Sequence, residues 1–272
     1  MMLVASIDAQ DPAGLPGFSS NPPGLEDDAR QAFYNAQYES AAALTLDACN
    51  GDPSGPSACE LRTSALLFQI QRAMGEGKDR KAAWKRCVDC PALLAAFDAT
   101  LARGQAAARA RLRVSPQDDD ALFLLGKLDL NYVWLQLGAL GHRTGWNEYR
   151  EARQSLDAVL SRQPGHVRAR VARGWIDYIV ATKVRWGARW LLGGGDKKQG
   201  LLAIREAAAA EADFFTRAEA RFALWDMQVR ERDVAGAVIS ARALSRDFPV
   251  NPELRRFLDQ QDPLDGQRAK LK

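Results

Sequence analysis

Apolar residues recur every three or four positions along most of this chain, the spacing that gives a helix one buried face. From Leu25 to Ala48, LEDDARQAFYNAQYESAAALTLDA, they fall at that spacing, and Glu26, Asp27 and Asp28 sit near the start, where a helix favours negative charge. CELRTSALLFQIQRAMGEG repeats the pattern and ends at glycines. PALLAAFDATLARGQAAARARLRVSP begins with proline and stops before Ser115-Pro116, as a helix should. DDDALFLLGKLDLNYVWLQLGALG opens with acidic capping residues and runs to Gly138 or Gly141. WNEYREARQSLDAVLSRQP, HVRARVARGWIDYIVATKV, KKQGLLAIREAAAAEA, TRAEARFALWDMQV and DVAGAVISARALSRDFP continue in the same manner. About ten helices joined by short polar turns leave no room for a sheet, so the expected class is all-α.

The punctuation of these helices repeats. Ala41 precedes Pro53 by 12 residues, as Ala152 precedes Pro164 and Ala237 precedes Pro249. Pro116 precedes Gly126 by 10 residues, and Pro164 precedes Gly174 by 10. A small residue lets two antiparallel helices approach, and a proline ends the second, so the spacing describes a helical hairpin. On these residues the chain resembles the tetratricopeptide repeat (TPR) family. LLGKLDL and ARGWIDY look like its first helix, with Gly126 and Gly174 at the glycine. YESAAALTLDACNGDP, YREARQSLDAVLSRQP and VAGAVISARALSRDFP look like its second helix and closing proline. The family period is about 34 residues. Here Pro116 to Pro164 spans 48 and Pro164 to Pro249 spans 85, so helices are longer or segments such as GALGHRTGW are inserted.

The resemblance implies a TPR-like α-solenoid of antiparallel hairpins over residues 25–260, similar to exported bacterial helical-repeat proteins. It also implies a groove lined by first helices. Carried over by position, Asp120, Lys127 and Asn131, then Arg168, Trp175 and Tyr178, and last Asp226 would face it. That mixture suits an extended peptide or its carboxylate terminus.

Both ends of the chain read differently. MMLVASIDAQ looks like the second half of a secretory signal, although the first basic residue of the chain is Arg30. DPAGLPGFSSNPPG has linker composition, so residues 1–24 are expected to precede the folded part, and 261–272 to form a flexible tail. Four cysteines bear on the same question. Cys49–Cys59 and Cys87–Cys90 are the simplest of three connectivities. A four-cysteine zinc site, a redox-active pair or a haem attachment would each use these residues too. The first pair is wide for a zinc knuckle, no strand precedes the second, and Pro91 stands where haem attachment needs His. Structural disulfides in a periplasmic or secreted protein are the preferred reading, with the cytoplasm as the alternative.

Composition removes several classes of function. Hydrophobic residues are 47%, charged residues 26% and the net charge is +3, too small to argue for nucleic acid. No apolar run approaches the ~18 residues needed to span a membrane. RWLLGGGDKKQG could cradle a phosphate, but Lys198 is followed by Gln199 and no strand precedes the glycines. The glycines read as a helix end, and Asp196 as the cap of the next helix. His142 and His166 stand without Cys, Asp or Glu at metal spacing, and no cofactor or metal is expected. Glu148 and Glu151 lie one turn apart but interleave with Arg150 and Arg153, which reads as a salt-bridged face. Arg109, Arg111 and Arg113, like Arg168, Arg170 and Arg173, are balanced by acids across the chain. Trp134, Trp146, Trp175, Trp186 and Trp190 fall within 57 residues. The expectation is a non-catalytic, protein- or peptide-binding scaffold. The alternative is a small-molecule or carbohydrate-binding protein with a pocket around Trp134, Trp146 and Trp175.

Overall fold

The structure, a computed structural model, describes residues 24–261 apart from 52–54, 76, 78, 143 and 184–191. The signal-like segment, most of the linker, the tail beyond Gln261, and Trp186 and Trp190 lie outside the described residues. Among the described residues the protein is all-α, with no strand. The first helices are α1 (Leu25–Tyr34), α2 (Tyr38–Leu44), α3 (Leu46–Gly51), α4 (Pro56–Met74), α5 (Arg80–Arg86) and α6 (Cys90–Val114). Next, α7 (Asp119–Trp134) runs into a π-helical turn, Leu135–Leu140, followed by α8 (Trp146–Arg162), α9 (Val167–Lys183) and α10 (Lys197–Ala209). The chain ends with α11 (Phe214–Arg230), α12 (Val234–Asp247) and α13 (Pro252–Gln261).

Local chemistry places most of these starts. Asp79, Asp118, Asp196, Asp213 and Asp233 each accept a hydrogen bond from a backbone N–H in the first turn of the helix that follows. Asn251 caps α13 through Glu253 N and Leu254 N, and His166 Nδ1 caps α9 by accepting from Ala169 N at 3.1 Å. Each such cap removes an otherwise unpaired donor and is worth about 1 kcal/mol. Proline opens α4 and stands in the first turn of α6. The periodic run Leu25–Ala48 is broken into α1, α2 and α3, the first break falling where Ala36 takes a left-handed φ of 57° and the second at Thr45. Gln37 N then donates to Ala32 O at 2.9 Å, which closes the turn.

The helices pack in antiparallel pairs: α4 with α6, α7 with α8, α9 with α10, and α11 with α12. The small residues sit where these pairs approach. A Cβ on Gly126 would lie 3.1 Å from Leu156 Cγ and 3.3 Å from Ala152 O. One on Gly200 would lie 2.6 Å from Gly174 O. Fully buried side chains fill the joints: Ile70, Phe97 and Leu128 first, then Leu156 and Ile176, then Ile204 and Met227, then Leu244, Phe248 and Leu254. Two disulfides, Cys49–Cys59 and Cys87–Cys90, tie α3 to α4 and the end of α5 to the start of α6.

The two ends of the array also meet. Tyr34 stacks on Phe222 at 5.3 Å and lies 5.4 Å from Phe248, and Asn251 Nδ2 donates to Tyr34 O at 2.7 Å. Tyr38 donates to Glu253, and Arg72 donates to the same carboxylate at 3.3 Å. This seam brings α1 and α2 against α11–α13.

Candidate functional site: a charged interior and an adjoining cleft

Four of those helices each send one charged side chain to a common point. Lys127 Nζ of α7 lies 2.8 Å from Glu219 Oε1 of α11 and 3.8 Å from Glu60 Oε1 of α4. Arg168 of α9 lies 3.1 Å from Glu60 Oε2 and donates through Nε to Glu219 Oε2. The count is two cations and two carboxylates, so the group is neutral as a whole. Side-chain exposure runs from 6% at Glu60 to 22% at Arg168, so desolvation strengthens every pair. Burial would raise the Glu219 carboxyl, but Arg168 and Lys127 outweigh it and hold it down at about 2. For Lys127 burial works downward, and Glu219 and Glu60 reverse the sign. Burial, with Glu219 next, pushes the Tyr34 hydroxyl well above its usual range, which places this seam residue in the field of the same four charges.

Beside the quartet is an open cleft of about 500 Å³. The starts of α4, α7, α9 and α11 line it through Ser57, Asp120, His166, Arg168 and Thr216, with Phe123 among its walls. The Arg168 guanidinium lies 4.7 Å from the Phe123 ring centroid, and His166 meets the same ring in a tilted arrangement with centroids 4.9 Å apart. Burial, then the nearby Arg168 charge, lowers the His166 pKa.

The groove residues expected from the resemblance fall into two groups. Lys127 and Arg168 meet in the quartet, Asp120 is exposed on the cleft, and Asn131 is buried between them and α4. Asn131 Nδ2 donates to Thr63 Oγ1 at 2.9 Å and Ser64 Oγ at 3.0 Å, so it reads a neighbouring helix. Trp175, Tyr178 and Asp226 form a second cluster. Trp175 meets Tyr178 edge to face at 5.8 Å, and Arg230 lies over the Trp175 ring while pairing with Asp226. Tyr178 donates to Glu231 at 2.7 Å, and burial, followed by that carboxylate, pushes its hydroxyl up to about 12. Trp134 is half-buried against two core clusters, Trp146 is 45% exposed, and neither they nor Trp175 line the cleft.

The remaining motifs are absorbed by local pairing. Gly193 and Gly194 have φ of 74° and 77°, and Asp196 Oδ1 accepts from Lys198 N and Gln199 N. The carbonyls of Leu192, Gly193 and Gly194 are taken by the Arg153 guanidinium, and Lys197 pairs with Glu231. The glycine turn therefore faces a cation with carbonyl oxygens, and the helix that would end before it lies partly outside the described residues. Glu151 pairs with Arg109 of α6, a partner on another helix. Arg170 pairs with Glu206, and Arg173 with Asp157 and Asp177. Glu60 and Glu219 complete the site. In the sequence each is one acid among small and apolar residues, with no spacing that singles it out.

Among the described residues no group of three or more His, Cys, Asp or Glu side chains is placed to hold a metal, and no helix is long and apolar enough to cross a membrane. Models of known protein families and the curated proteins give no match to this chain.

Proposed function

We propose that the protein is a non-catalytic scaffold, built as a TPR-like α-solenoid, that binds a protein or peptide at the inner face of its hairpins. The observation that carries this reading is the convergence of α4, α7, α9 and α11 on one charged face with a cleft at its end. Lys127 and Arg168 of the expected groove lie in that face, and Asp120 stands at its mouth. A cleft of about 500 Å³ accommodates one or two side chains of an extended segment. The same volume supports the second reading, a small-molecule site, with Phe123 and His166 as its aromatic walls in place of the tryptophans.

Two disulfides favour an oxidising compartment, so the periplasm or the exterior is the proposed location. A thiol count on protein purified from its native compartment, denatured without reductant, tests this. None of the four thiols should react; four reactive thiols overturn the location.

Panning a displayed peptide library on the oxidised protein tests the scaffold. Enriched peptides should lose at least tenfold in affinity with Asp120→Arg, an exposed change that leaves the quartet intact. Peptides indifferent to Asp120→Arg, and binding elsewhere by cross-linking, would remove the inner face as the binding surface.

A further inference from the structure

A second group of charges lies on the opposite side of α7, where α6 and α8 pack against it, with a buried carboxyl at its inner end and a half-exposed ion pair outside it. Asp129 is fully buried, with 0% exposure. Its Oδ1 accepts from Gln105 Nε2 of α6 at 2.6 Å. Its Oδ2 has no partner among the described residues, and no cation forms an ion pair with it there. Glu151 of α8 is the neighbouring acid whose charge acts most on Asp129, and its own carboxylate is held by Arg109 of α6, 2.5 Å from Oε2. The charged and titratable groups facing Asp129 are therefore Arg109 from α6, and Glu151, with Glu148 beyond it, from α8. From α4, Glu60, Thr63 and Ser64 meet α7 through Asn131 instead.

Two carboxyl groups here share one cation. An ionised Asp129 would be a buried anion with an orphan oxygen, next to a second anion. A proton on Oδ2 removes both defects at once. It neutralises Asp129, gives the orphan oxygen an O–H to donate to Glu151, and leaves Glu151 and Arg109 as a balanced pair.

We infer that Asp129 and Glu151 share a proton, and that this proton makes the joint of α6, α7 and α8 a pH-sensitive clasp that loosens in mildly alkaline solution. On release the proton goes to solvent. The two carboxylates left behind repel across the α7–α8 hairpin, with Arg109 paired to Glu151 as their counter-charge. Burial first, and Glu151 second, raise the Asp129 pKa to about 8, which puts the release just above neutrality.

The sign follows from linkage. An unfolded Asp titrates near ~3.9, so between there and about pH 8 the folded state holds a proton that the unfolded state has lost. The unfolding constant should rise by up to about tenfold per pH unit across that window and level off above it. Burial moves Tyr34 and Tyr38 upward and His166 downward, away from the alkaline end of that window.

The experiment is denaturant unfolding of the oxidised full chain from pH 6 to 9.5, for the wild type, Asp129→Asn and Glu151→Gln, with ¹³C NMR of the Asp129 carboxyl carbon. Asp129→Asn keeps the shape of the side chain and a donor for Glu151, so its unfolding constant should lose the pH 6–8 slope and fall below the wild-type value at pH 9. In Glu151→Gln the neighbouring charge is gone, so the slope should move to lower pH. Hydrogen exchange in α6–α8, corrected for intrinsic rates, should rise above pH 8 in the wild type and not in Asp129→Asn. A carboxyl carbon titrating near pH 4 overturns the proposal. So does a wild-type slope that survives in Asp129→Asn.

Discussion

The two sides of α7 handle buried charge in opposite ways. Toward α9 and α11, Lys127 joins Arg168, Glu60 and Glu219, so two cations meet two carboxylates and each charge has its counter-charge within 3.8 Å. Toward α6 and α8, Asp129 and Glu151 meet with Arg109 alone, and one oxygen goes without a partner. The pKa values follow the count of charges. Glu219, with two cations beside it, is held at about 2, whereas Asp129, fully buried and without a paired cation, is raised to about 8. Burial alone does not decide the state of a carboxyl group; the number of cations that come with it does.

Breaking the balanced side should have the largest effect. Glu219→Gln leaves Lys127 and Arg168 with only Glu60, an uncompensated buried charge that costs about 3–5 kcal/mol. Urea denaturation at pH 7 measures it, and a loss under about 1 kcal/mol would mean that water already reaches the quartet. The second prediction sharpens the comparison through pH. Glu219, with a folded pKa of about 2 against an ordinary 4.5, contributes stability above pH 4.5 that is lost as pH falls toward 2. That difference corresponds to about 3 kcal/mol at most. Acid unfolding should therefore steepen below pH 4.5 in the wild type and flatten in Glu219→Gln. Asp129 acts at the other end of the scale, with stability lost as pH rises.

Effects on the unbalanced side should be smaller. Gln105→Leu removes the only donor to Asp129 Oδ1 among the described residues and should cost about 1–3 kcal/mol. It should also move the alkaline transition upward, because the Gln105 hydrogen bond favours the ionised carboxyl. Arg109→Met breaks a pair whose two side chains are 42% and 38% exposed, so screening limits the loss to under about 1 kcal/mol. It too should raise the midpoint of the alkaline transition. A midpoint that falls in either variant would show that the shared-proton account has the wrong sign.

Much of this was legible in the sequence because it depends on neighbours along the chain. The caps at Asp118 and Asp196, the proline start at Pro91, the left-handed glycines before Asp196 and the two short cysteine spacings are all satisfied within a few residues, whereas the short helix Arg80–Arg86 carried too few apolar positions to be read. Gly126 opposite Ala152 was legible as well, since antiparallel helices joined by a short turn must meet near it. The break at Ala36 was not, because alanine carries no signal for a left-handed turn.

Among the candidate groove residues, position on a helix was readable and partnership was not. Lys127 and Glu219 are 92 residues apart, and Arg168 and Glu60 are 108 apart. The same separation hid the meeting of Tyr34 with Phe222 and Phe248, and the orphan oxygen of Asp129. The sequence by itself determined an all-helical chain, its caps and its close glycine contacts, because those are local balances of hydrogen bonding and shape. Only the tertiary structure decided which carboxylates keep their charge and which hold a proton, because a pKa is set by groups brought together from distant turns of the chain.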